Sequence, residues 1–215
     1  MSAISLDTIR RLLDRAFERQ DLYTGDGDLN PGLESLFSQA HRPAAVLILL
    51  VERPEGLTVL LTERPKTLRL HAGQISFPGG GVEPGDNGPA GTALRESSEE
   101  IGLDPSLVDI LGYLPAYQTR TGFTVAPVVG TIKPPFTLTI NPAEVDRVIE
   151  VPLDFLLNSV NCRTEERDFQ GHTARFYSFD HEGDKIWGAT AGMLRGLREV
   201  LSGGQLPLAA QRLQP

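Results

Sequence analysis

Within five residues the chain carries three glutamates, Glu96, Glu99 and Glu100. On a helix they would fall within an arc of about 100° on one face. Neighbouring carboxylates so placed repel by roughly 0.2–0.5 kcal/mol per pair. Two of them also occupy the last turn of the predicted helix, where the dipole disfavours anions. A local rule broken twice at one place points to a function with a compensating cation. Hard oxygen ligands suit Mg²⁺ or Mn²⁺, which keep waters and bind substrate phosphates. An acidic helix face alone is ordinarily just solvated. The upstream Gly79-Gly80-Gly81 changes that weighting, because glycine lets the backbone approach a metal or phosphate closely. Arg95 precedes Glu99 by four residues, a spacing that orients a carboxylate.

A second group is basic. Arg64, Lys66, Arg69 and His71 cluster in an otherwise acidic chain, and Arg and Lys bind phosphate, Arg through a bidentate fork. The competing reading is a solvated loop. Phe77 and Trp187 read as core packing in preference to base-stacking platforms, and Tyr117 and Phe123 as candidate cleft liners. Cys162 is the single cysteine, so no disulfide framework exists, and nothing around it suggests a nucleophile. Asp26-Gly27-Asp28-Leu29-Asn30 resembles the start of an EF-hand loop. It fails that pattern, because Pro31 stands where Gly is required and Phe37 where the bidentate Glu belongs. The stretch 24–32 therefore reads as an acidic connector.

The elements that must position these groups follow from periodicity. Residues 6–20 carry one apolar stripe through Leu6, Ile9, Leu12, Leu13, Ala16 and Phe17, which predicts a helix. Runs at 44–51 and 57–62 predict a hairpin across Pro54 and Gly56. A short strand is expected at 74–77, then the glutamate helix over 92–101 with Gly102 as its stop. Further strands are expected at 108–114, 123–132, 145–151 and 173–179. Pro127 marks a bulge or an edge in the second of these. A last helix is expected over 189–201. Strands outnumber helices, which predicts a mixed sheet with flanking helices.

Length and charge bound the rest. The 215 residues, with 28 acids against 20 bases and a net charge of −8, suit one ordinary globular domain. So acidic a surface argues against general nucleic-acid binding. No apolar run approaches the roughly 20 residues that span a bilayer, and the N-terminus lacks a signal-peptide core, so a cytoplasmic location is expected.

Residues 79–103 resemble a Nudix box, the signature of hydrolases that cleave nucleoside diphosphates linked to another moiety. Arg95-Glu96, Glu99-Glu100 and Gly102-Leu103 occupy its defining positions. Asp86 stands where an early Glu is usual, with one residue more than usual before Arg95, and Ser97 replaces an apolar residue. The block Leu60-Leu61-Thr62-Glu63-Arg64, with His71, Gly73 and Gln74 through Gly80, resembles the coenzyme A pyrophosphatase branch, which tolerates the longer loop. Pro65 departs from that branch's usual Ser or Ala. Likeness continues through 122–127, 141–145, 151–153 and 187–191, covering roughly 42–200.

The resemblance implies a Nudix α/β fold, an α/β/α sandwich with a mixed sheet and a catalytic loop-helix. It implies an N-terminal helix and connector over 1–41, the Nudix domain over 42–202 and a flexible tail over 203–215. Glu96, Glu99 and Glu100 would hold Mg²⁺ or Mn²⁺, assisted by a backbone carbonyl near Gly79 or Gly80. Arg95 would hold Glu99 or a neighbour in place, and Glu144 would be a further ligand or general base. Arg64, Lys66, Arg69 and His71 would meet the diphosphate or 3′-phosphate of coenzyme A. The partner implied is a small nucleotide, with no nucleic acid or membrane, and a homodimer stays open. The alternatives are another nucleoside diphosphate derivative as substrate, or a non-catalytic nucleotide-binding regulator.

Overall fold

The continuous apolar run at 44–51 is buried on both sides, as a strand covered by helices on both faces must be. It lies in β2 (Arg42–Arg53). Its side chains alternate between two cores. Ala44, Ile48 and Leu50 join one, while Ala45, Leu47, Leu49 and Val51 join the other. The first core takes Ile9 and Leu13 of α1 (Leu6–Phe17), Leu153 and Leu156 of α3 (Leu153–Leu157), and Leu194 and Leu197 of α4 (Ala189–Leu201). The second takes Ala93 and Ile101 of α2 (Gly88–Ile101). The result is the expected α/β/α sandwich, seen here in a computed structural model that describes residues 4–17, 22–33, 36–37, 40–68, 70–203 and 211–212.

Among the described residues ten strands form one mixed sheet. β2 pairs in parallel with β8 (Phe123–Ile132) and antiparallel with β3 (Gly56–Glu63) in the predicted hairpin. Outside β3 lie β4 (Ile75–Ser76) and β9 (Arg147–Pro152). β5 (Gly79–Gly81) pairs with the start of β2. β6 (Asp109–Tyr113) and β7 (Ala116–Gln118) share the far side of β8. Pro127 is therefore in an interior strand, not an edge. It lies opposite the break between β6 and β7, where its carbonyl accepts from Leu114 N–H.

A separate antiparallel sheet, β10 (Arg163–Phe169), β11 (His172–His181) and β12 (Asp184–Trp187), packs beside the first. Arg147 ties the two together, bonding Glu63 of β3 and Asp184 of β12. β10 reads Arg-Thr-Glu-Glu-Arg-Asp-Phe, with no apolar alternation to reveal it. The connector expected at 24–32 is likewise ordered. β1 (Leu22–Gly25) runs parallel to β7, and a short turn follows in which Asn30 is buried. Of the helix expected over 6–20, Leu6–Phe17 is observed, and 18–20 lie outside the described residues. Of the expected tail, Gln211–Arg212 pair with β1 as β13, while 204–210 and 213–215 lie outside the described residues. No helix of the described residues is long and apolar enough to cross a membrane.

Candidate functional site

Helix α2 begins four residues earlier than periodicity predicts, because Pro89 sits in its first turn, where its missing N–H costs nothing. The helix ends as expected: Gly102 adopts the left-handed conformation, and its N–H reaches back to Ser98 O at 3.0 Å. The chain beyond the helix then satisfies its last carbonyls. Thr139 N–H donates to Ile101 O and Asn141 N–H to Glu100 O, both at 2.8 Å. That clip brings Glu144 beside the acidic face of α2, where its charge adds to the upward shift that burial chiefly causes in Glu96 and Glu100. Asn141 Nδ2 donates to Glu144 Oε1 at 3.2 Å.

At the other end of the acidic face, Asp86 organises the loop. Its carboxylate accepts from Arg95 Nε at 2.9 Å, Thr92 Oγ1 at 2.8 Å and Glu83 N–H at 2.9 Å. The Arg95 hydrogen bond is the largest of the influences that hold this carboxyl well below its usual range. Arg95 extends the network through Nη1 to Glu96 at 3.0 Å and Glu99 at 3.2 Å, and through Nη2 to Gly81 O at 2.9 Å. One planar fork thus joins loop, glycine strand and helix.

The glycine strand fits closely against this network. A Cβ on Gly80 would lie 2.5–2.7 Å from the Glu96 carboxylate, and one on Gly79 would collide with Ala45 O of β2. Glu100 is 5% exposed, and its Oε2 has no hydrogen-bond partner. Burial, followed by repulsion from Glu96 and Glu144, pushes its carboxyl up to about 8, against the pull of Arg64 and of Gly79 N–H. Burial likewise raises Glu96. A buried, unpartnered carboxylate oxygen among like charges fits a divalent cation, and the all-oxygen donor set suits Mg²⁺ or Mn²⁺. Among the described residues, no three Asp, Glu, His or Cys groups are gathered into a ready-made cage. Glu96 and Glu99 both turn to Arg95, with which a cation would have to compete.

On the other side of β5 opens a cleft of about 390 Å³. Of the basic cluster, Arg64 and His71 line it. The Nε of Arg64 is buried without a partner, and Nδ1 of His71 lies 2.8 Å from Gln74 Oε1. Lys66 does not line the cleft: it sits exposed in a turn with its stem against Gly73. Arg69 lies outside the described residues. Phe123 lines the cleft as expected. Tyr117 does not: it is core, 5% exposed, and its hydroxyl donates to Asp26. Phe77 is core as expected, whereas Trp187 is only half-buried and borders the cleft. Asp26 and Arg120 also line it; Asp26 belongs to the stretch read as an acidic connector, and Arg120 carries no local signal in the sequence. Cys162 is free and half-buried, and burial pushes its thiol up, which suits no nucleophilic role.

A family model described as the NUDIX domain matches residues 41–169. The chain is 44% identical over 170 residues to Nudix hydrolase 22, chloroplastic, of Arabidopsis thaliana, covering 75% of this chain and 56% of that protein. It is 42% identical over 157 residues to Nudix hydrolase NudL of Escherichia coli K12, covering 73% and 81% respectively. The chain thus spans a little over half the length of the plant relatives. Among solved structures, a Nudix hydrolase from M. smegmatis, RenU, superposes with a TM-score of 0.49 at 21% identity, covering 79% of this chain and 91% of that one.

Proposed function

The chain belongs to the Nudix family, and from that premise we propose a metal-dependent diphosphatase that splits coenzyme A or an acyl-CoA into 3′,5′-ADP and (acyl-)4′-phosphopantetheine. The observation that carries the metal-dependent chemistry is the buried Glu100 Oε2, unpartnered beside Glu96 and Glu144 and one glycine strand away from a cleft lined by Arg64. Glu96, Glu99 and Glu100 would hold Mg²⁺ or Mn²⁺ with a carbonyl of Gly79 or Gly80, and Glu144 would serve as a further ligand or as general base. When bound, the cation supplies positive charge to the diphosphate and acidifies water.

The remaining work belongs to the chain. Arg95 holds Glu96, Glu99 and the Gly81 carbonyl in one arrangement. Arg64 presents its guanidinium to the diphosphate, with His71 beside it. Water adds to one phosphorus while the bridging P–O bond breaks, so no side-chain nucleophile is needed, and positioning and charge stabilisation suffice. The coenzyme A assignment draws on the likeness of residues 60–80 to that branch, supported by Arg64 and His71 lining the cleft.

The test incubates the protein with Mn²⁺ or Mg²⁺ and a panel of coenzyme A, NADH, ADP-ribose and dinucleoside polyphosphates, separating the products by chromatography. Coenzyme A is expected to turn over fastest, and Glu99→Gln plus Glu100→Gln to abolish that turnover. Faster cleavage of ADP-ribose or NADH would overturn the substrate, and full activity of the double variant would overturn the metal ligands.

A further inference from the structure

The cleft does not end at Trp187. A second cavity of about 310 Å³ adjoins it, and the two share Asp26, Arg120, Trp187 and Gly188 in their linings. Its floor is one face of the small sheet. In the β10–β11 register Arg167 stands opposite Ala174 and Phe169 opposite His172, while Phe176 faces Glu165. Trp187 stands opposite Ser178 on β12. Alternation along the strands therefore puts Arg167, Phe169, Phe176 and Trp187 on a common face. Phe176 and Trp187 meet edge to face at 5.5 Å, and the Arg120 guanidinium lies 4.2 Å over the Phe169 ring. Ala174, on the same face, also lines the cavity.

The wall opposite is the turn after β1. Asn30 fixes it there, donating to Arg175 O at 2.9 Å and accepting from Arg175 N–H at 2.7 Å, beyond the point where β12 stops pairing. The two carboxylates lining the cavity already have donors. Asp26 accepts from Tyr117 Oη and Arg120 N–H, both at 2.7 Å, and Asp168 accepts from Gly171 N–H. Arg167 differs: its guanidinium has no hydrogen-bond or ion-pair partner among the described residues. Half-buried aromatic rings beside an unpaired guanidinium suit a planar ring that carries an anionic group.

We propose that this compartment binds the nucleoside end of the substrate, with the base against Phe169, Phe176 and Trp187 and a ribose phosphate on Arg167. The assignment rests on the coenzyme A reading above and deepens it. It moves recognition of the 3′-phosphate from the loop around residue 69 to the hairpin, and leaves Arg64 for the diphosphate. Selectivity for a nucleotide with an extra ribose phosphate then comes from a part of the chain outside the Nudix box.

Trp187 is the only tryptophan and lies at the junction of the two cavities, so its fluorescence reports occupancy without turnover. The full chain is titrated with 3′,5′-ADP and with 5′-AMP. The wild type is expected to be quenched by both, with tighter binding of 3′,5′-ADP. Arg167→Met is expected to cut that preference on the order of tenfold, the worth of one charge-assisted contact, and Arg167→Lys to restore part of it. The kcat/KM preference for coenzyme A over its 3′-dephospho form should fall in parallel. No quenching by 3′,5′-ADP, or an undiminished preference in Arg167→Met, overturns the subsite. A wild type that binds 3′,5′-ADP here yet fails to split coenzyme A would overturn the diphosphatase reading and leave the subsite standing.

Discussion

Gly80 shows how little room the acidic site leaves. Any side chain there meets the Glu96 carboxylate, which is the end of a flexible chain and will yield. Gly80→Ala is therefore expected to leave the melting temperature within about 2 °C of wild type, because the displaced group is not core. On the proposed metal role of Glu96, activity should fall by on the order of tenfold or more, because a carboxylate moved by about an ångström no longer serves a cation or its Arg95 partner. Thermal melting and kcat with Mn²⁺, measured side by side, check this, and equal loss of both would mean that the glycine is merely structural. The glutamates could be read from the sequence because helical spacing alone puts them on one face. A loop-ordering role for Asp86 could be read from its place between the glycines and the helix, but its partners Arg95, Thr92 and Glu83 could not, because they converge only when the loop closes onto α2.

At the scale of elements, the end of α2 carries more than the helix. Gly102 has φ +63°, and a Cβ there would approach Thr139 O to 2.9 Å, in the same segment whose amides cap Glu100 and Ile101. Gly102→Ala should cost about 1–2 kcal/mol through strain at positive φ and this contact. In a chain of this size that lowers the melting temperature by roughly 2–8 °C. On the proposed role of Glu144 as ligand or base, it should also lower activity, since the displaced segment carries that residue. An unchanged melting curve would refute the capping argument. Gly102 was legible as a stop signal, and the hairpin β2–β3, strand β8 and helix α4 were legible from their apolar patterns. Strands β1 and β10 were not. Their residues do not alternate in hydropathy, and they pair because neighbours supply edges to fill.

For the molecule as a whole, the turn after β1 is where N-terminal chain, main sheet, small sheet and α4 meet. Asp28 is partly buried there, and burial pushes its carboxyl up to about 6, opposed by Gly25 N–H and by Arg195 of α4, with Asp26 adding to the rise. A carboxyl whose folded pKa lies above its unfolded value of 3.8 favours the folded state below that pH. That stability is lost as pH rises through about 6. Asp28→Asn keeps an acceptor for Gly25 N–H and removes the titration. Relative to wild type it should gain about 1 kcal/mol between pH 3.5 and pH 7.5, after discounting for partial exposure. Urea unfolding of both proteins at the two pH values checks this, and parallel stabilities at both would refute it. By itself, the sequence determined the strand–loop–helix unit with its carboxylates, the doubly covered central strand and the acidic balance, because each is written in local spacing or composition. Only the tertiary structure decided that an apparent acidic connector is a half-buried wall held by Asn30, that Tyr117 packs inside while Trp187 borders the cleft, and that a polar hairpin adds an arginine-bearing compartment to it. Those outcomes depend on which distant surfaces meet, and burial and charge pairing across such contacts leave no periodic trace in the chain.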